Sequence, residues 1–70
     1  MMLKVWAWYD AGSSEISSYF LNISALIRAS NEREVGNGHK PLNWTKVSED
    51  YWDGRNGYDV AFAVYIDESE

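Results

Sequence analysis

The chain has no cysteine, one histidine, one proline and six basic residues among its 70. Without cysteine no disulfide can staple the fold, a weak sign of a reducing compartment. Without a thiolate, and with His39 as the only imidazole, a structural zinc site has no ligand set. No stretch approaches the roughly 18–20 apolar residues of a membrane-spanning helix. The opening Met1-Met2-Leu3-Lys4-Val5-Trp6 lacks the basic region, long apolar core and cleavage site of a signal peptide. The expected setting is therefore cytoplasmic, or the host cytoplasm for a phage-encoded chain, with no membrane partner. On that expectation the sequons Asn22-Ile23-Ser24 and Asn43-Trp44-Thr45 are chance matches.

Catalytic machinery is lacking as well. A nucleophile triad needs an imidazole, and the lone His39 sits in a Gly-rich connector beside Lys40, where a solvated role suits it best. Paired carboxylates need enclosure to raise one pKa, and acidic residues on a hairpin of so small a domain have little around them. Asp50-x-x-Asp53-Gly54-x-Asn56 lacks the alternating ligands and closing Glu of a calcium loop. Gly36-x-Gly38-His39-Lys40 has the look of a phosphate nest, but it follows a helix instead of opening one. The expectation is a non-enzyme that needs no cofactor and no metal.

What the chain does have is aromatics and acid. Four Trp, five Tyr and two Phe each bring about 150–250 Å² of buriable surface. In a single domain this small, that load supplies either a core or a surface meant to be covered. The net charge is −5, and it is local. Residues 48–70 carry Glu49, Asp50, Asp53, Asp59, Asp67, Glu68 and Glu70 against Arg55 alone. That sign opposes direct binding to a phosphate backbone and favours a basic protein surface.

Residues 2–9 alternate, with Leu3, Val5, Ala7 and Tyr9 on one face and Lys4, Trp6 and Trp8 on the other, as in a strand. From about Ser14 to Arg33, Ile16, Tyr19, Phe20, Ile23, Leu26 and Ile27 fall at helical spacing. Asp10 to Ser13 offer the N-cap, and Val35-Gly36-Asn37-Gly38 the stop. Residues 42–47 form a second strand that runs on irregularly through Tyr51-Trp52. Asp53-Gly54-Arg55-Asn56-Gly57 forms a hairpin turn, and residues 58–67 a third strand. Residues 67–70 read as an acidic tail. The expected fold is a single α+β domain over residues 1–70, in the order β-α-β-β. Its three-stranded, largely antiparallel sheet has order 2-3-1, with one helix packed on one face. That helix should meet Leu3, Val5, Ala7, Val60, Phe62 and Val64.

Two surfaces follow. On the opposite face Trp6, Trp8 and Tyr65 stand around Ala61 and Ala63 as an aromatic shelf. The tail, the 47–57 segment or Trp44 could fold over it, or a second copy or another protein could dock on it. The acidic hairpin carries Glu49, Asp50, Asp53 and Asp59 with Tyr51, Trp52 and Tyr58 interleaved, a composition suited either to gripping a basic protein or simply to solubility. In size, acidity and lack of catalytic motifs the chain resembles the small accessory proteins that bacteriophages use against host machinery or defences. The functional expectation is a protein-binding domain that inhibits or modulates a basic, nucleic-acid-binding protein; spaced carboxylates can also imitate backbone phosphates. The alternatives are a self-associating assembly protein using the aromatic face, and a carbohydrate- or base-stacking module.

Overall fold

The computed structural model describes residues 2–54 and 58–67. Its elements run β1 (Met2–Asp10), β2 (Glu15–Phe20), α1 (Ile23–Gly36), β3 (Thr45–Ser48), β4 (Tyr51–Asp53) and β5 (Asp59–Asp67). The strands form one five-stranded antiparallel sheet in the order β2-β1-β5-β4-β3. The α+β class stands, but the expected three-stranded β-α-β-β sheet does not.

The first correction lies at residues 15–20, which form an edge strand paired with β1 and not the opening turns of the helix. Ile16, Tyr19 and Phe20 are of the β-branched and aromatic types that favour a strand. A tight turn over residues 11–14 also folds the chain back on itself. There the Asp10 carboxylate accepts from the Gly12 N–H at 2.9 Å, and Ser14 takes a left-handed φ of 58°. The helical spacing of Ile16 and Tyr19 comes from a β-bulge. Trp8 pairs with Ser18 and Tyr9 with Ile16, leaving Ser17 as the extra residue. The bulge puts two residues three apart on one face, as a helix would.

The helix begins nine residues, about two and a half turns, later than expected. Asn22 is its N-cap, its side-chain oxygen accepting from the Ala25 N–H at 2.8 Å. It ends at the expected glycine-rich stop, where Gly38 has a φ of 82°. There the N–H groups of Asn37, Gly38 and His39 close on the carbonyls of Arg33, Val35 and Glu34.

The second irregularity lies between the helix and β5. The 42–52 segment divides into β3 and β4, which turn at Glu49-Asp50. β4 then pairs antiparallel with β5, Tyr51 opposite Phe62 and Trp52 opposite Ala61. Of the expected Asp53–Gly57 turn, residues 55–57 lie outside the described residues, as do residues 68–70 of the expected acidic tail.

The third correction concerns the face that the helix covers. The core is Trp6, Trp8, Leu26 and Ala61, with Phe20, Ile23, Trp44, Trp52 and Ala63 packed against it. The helix therefore lies on the tryptophan face, not on Leu3, Val5, Ala7, Val60, Phe62 and Val64. Two features explain the choice. Ala63 and Ala61 stand opposite Trp6 and Trp8, so a trough opens where Leu26 can enter. The buried stripe of the helix is Leu26, Ser30 and Glu34, two-thirds polar. Such a stripe suits indole N–H groups that need acceptors, and it would strand its own polar atoms against aliphatic Val and Phe. Trp44 Nε1 donates to Ser30 Oγ at 2.8 Å, and Ser30 Oγ donates on to the Ile27 carbonyl at 2.9 Å.

Candidate functional site

With the helix on the tryptophan face, the other face of the sheet carries an apolar surface over β2, β1 and β5 that reaches Tyr51 of β4 and gives way to Asp53, Thr45 and Ser48 at the β4–β3 edge. At its middle, one row crosses four strands: Tyr19, Ala7, Phe62 and Tyr51 stand side by side from β2 to β4. Ile16, Tyr9 and Val60 form the row on one side of it. Val5 with Val64 and Leu3 with Ile66 form the rows on the other. Val5, Ala7 and Val60 are themselves buried, shielded by their larger neighbours, while Tyr19 is 58%, Ile66 47% and Tyr51 38% exposed. No described element packs over this face. Loop residues Leu42 and Trp44 are tied to the helix side through Asn31 and Ser30.

Charge is segregated away from that surface. By the strand register Lys4, Asp10, Glu15, Asp59 and Asp67 all align with the helix side. Asp53, opposite Val60, is the one charged residue of the described strands in register with the open face. It is half-buried at a corner.

The residues of the expected acidic hairpin are dispersed. Glu49 is exposed at the β3–β4 turn and pairs with Lys46 at 3.2 Å. Asp50, also in that turn, accepts from Tyr65 Oη at 2.9 Å and meets Lys4 Nζ at 3.2 Å. The Tyr65 hydroxyl, and after it Lys4, hold the Asp50 carboxyl below its ordinary value. The hydrogen bond to Asp50 raises Lys4 in turn. Tyr51 lies on the open face, and Trp52 is half-buried against the core. Asp59 is only 2% exposed and accepts from Trp8 Nε1 at 3.1 Å. The expected aromatic shelf divides in the same way. Trp6 and Trp8 are 6% and 4% exposed beneath the helix, so only Tyr65 remains at the surface. Enclosed indoles offer no platform on which bases or sugars could stack.

A polar cluster closes the helix C-terminal end of the core. The Arg33 guanidinium stacks over Trp8, 4.1 Å from the ring centre. It lies 3.2 Å from Glu34 and 3.9 Å from both Asp10 and Asp59. His39 Nδ1 lies 3.2 Å from the other Glu34 oxygen. A cleft of about 540 Å³ opens beside it, lined by Glu34, His39, Lys40, Asn43, Thr45 and Asp53 among others. The Glu34 oxygens are engaged by Arg33 and His39, which makes this cluster a structural clasp. Among the described residues no group of three His, Cys, Asp or Glu could hold a metal ion. Nor is any described helix long and apolar enough to cross a membrane.

Of the residues of the open face, sequence reasoning assigned Leu3, Val5, Ala7, Val60, Phe62 and Val64 to a core beneath the helix, Ile16 and Tyr19 to the helix itself and Tyr51 to the acidic hairpin. A signal for their exposure existed. β1 and β5 are apolar on both faces, the pattern of strands covered on both sides, and one helix can cover only one of them. Compared with protein-family profiles, characterised proteins and solved structures, the chain finds no match.

Proposed function

We propose that this chain is a protein-interaction domain whose working surface is the uncovered sheet face, and that the surface it meets is apolar and uncharged. The row Tyr19–Ala7–Phe62–Tyr51, flanked by Val5, Val64, Leu3 and Ile66, carries the reading. An exposed apolar patch that crosses four of the five strands marks a contact site. Exposed tyrosines at its margins add large contact area at small entropic cost, with a hydroxyl left for the wet rim. A basic partner gripped through the β3–β4 turn ranks second, because Glu49 and Asp50 already have Lys46 and Lys4 as counter-ions.

In-cell photo-crosslinking tests the reading. A photoreactive phenylalanine analogue in place of Tyr19 or Ile66 should yield a heavier protein adduct. The same analogue in place of Arg28 or Glu32, both exposed on the helix, should not. Equal yields at all four positions, or none at 19 and 66, would overturn it.

A further inference from the structure

We propose that the occupant of the open face is a second copy of this chain, docked sheet on sheet about a two-fold axis. This rests on the interaction reading above and names its partner.

Three observations lead to a copy and not to an unrelated protein. The first is the strand pattern. β1 and β5 present apolar side chains to both faces, so the open face needs cover for as long as the chain is folded. A partner met only occasionally would leave it bare in between, whereas a second copy is present wherever the chain is made. The need is sharper because the helix side encloses only a small core, with Leu26 the one buried apolar residue of α1.

The second is charge. Two copies of net charge −5 repel, and they can approach closely only through a surface from which charge has been removed. The register comes close to this, sending Asp10, Glu15, Asp59 and Asp67 to the helix side and leaving only half-buried Asp53, at one corner, among the charged residues of the described strands on the open face. A face evolved for a basic partner would carry those carboxylates itself.

The third is area. Strands of six, nine, nine, three and four residues lie across the sheet. At about 3.3 Å rise and 4.8 Å spacing they make a face on the order of 500 Å² in plan. Two such faces bury on the order of 1,000 Å², the lower bound of what a specific biological interface needs. A two-fold axis near Phe62 would bring the same rows together from both copies, with the sheets about 10 Å apart and crossed at about 30°.

Sedimentation equilibrium of the full chain from sub-micromolar to 100 μM tests the proposal. The expected mass is twice that of the chain. The double variant Tyr19→Lys, Ile66→Lys should weaken association by about a hundredfold or more with its far-UV circular dichroism intact. Both positions are exposed, so the sheet tolerates them. If that variant does not fold, crosslinks formed by the photoreactive analogue at position 66, in a chain otherwise unchanged, must map to residues of the same face. A dimer indifferent to the double variant, or crosslinks that map elsewhere, would overturn this interface. A strict monomer whose cellular adducts contain another protein would overturn the second copy and leave the interaction reading standing. A strict monomer without adducts would sink both.

Discussion

Trp8 and Asp59 join the two central strands side chain to side chain: the indole Nε1 of one donates to the buried carboxylate of the other at 3.1 Å. Arg33 stacks on the indole and lies 3.9 Å from the same carboxylate oxygen. A charge that is 2% exposed is tolerated because donors surround it. Asp59→Ala should leave a buried indole N–H without its acceptor, at a cost of about 1–3 kcal/mol. Asp59→Asn keeps an acceptor and should cost less. Urea unfolding followed by tryptophan fluorescence measures both, and equal stabilities for the two variants would refute the assignment.

The N-cap at Asn22 gives a second prediction. Its side-chain oxygen is bonded to the Ala25 N–H at 2.8 Å, and the first turn of the helix has no acidic residue to assist it. Asn22→Ala should cost about 1 kcal/mol, and Asn22→Asp should be neutral or better through the helix dipole. By contrast Ser13→Ala, at the cap position expected from the sequence, should cost far less, since Ser13 Oγ makes only a 3.3 Å bond to the Asp10 carbonyl. A larger loss from Ser13→Ala than from Asn22→Ala would place the helix start where the sequence pattern had it.

What was legible in the sequence follows from which signals were unambiguous. β1 and β5 are nine-residue runs rich in Val and aromatic residues, and the helix stop needs a residue that tolerates φ of 82°, which Gly38 supplies. Ile16 and Tyr19 were not legible, because a bulge at Ser17 gives a strand the spacing of a helix. The face chosen by the helix was not legible either, because both faces of the central strands are apolar. That choice turns on Ser30 meeting the Trp44 N–H, a contact fourteen residues apart whose partners carry no pattern. Asp50 and Asp59 read alike as acidic surface. One pairs with Lys4 in the open and the other lies beneath Arg33, because only Asp59 aligns with the buried rows of the sheet.

The Lys4–Asp50–Tyr65 group predicts a pH dependence with two limits. The Asp50 carboxyl is held below 3.8, so its contribution is present above that value and lost as pH falls through the lowered one. Lys4 is raised above 10.5, so its contribution is present below that value and lost as pH rises through the raised one. Asp50→Asn should therefore be less stable than the wild type across the neutral range and match it at the acid end. The effect is small, because both side chains are exposed and screened by salt. A carboxyl NMR titration reads the Asp50 value directly, and a midpoint at or above 3.8 would contradict the geometry.

Gly54 is buried where the chain passes beneath the indole of Trp44. A Cβ at this position would lie 2.9 Å from three atoms of the ring, closer than any side chain can remain. The ring cannot easily yield, because its Nε1 is held by Ser30 Oγ at 2.8 Å. Nor can the backbone easily move away, because the Gly54 N–H donates to the Asp59 carbonyl at 2.7 Å. Gly54→Ala must therefore displace the indole, break its hydrogen bond, or open the β4–β5 connection. The cost should be about 1–3 kcal/mol, with a change in tryptophan emission in the native baseline. Ser30→Ala frees the ring from its anchor at a comparable cost of its own. The double variant should then lose less than the sum of the two, because the ring that Gly54→Ala must push aside is no longer held. Additive losses would show that Trp44 and Ser30 do not act as one unit against the Gly54 backbone.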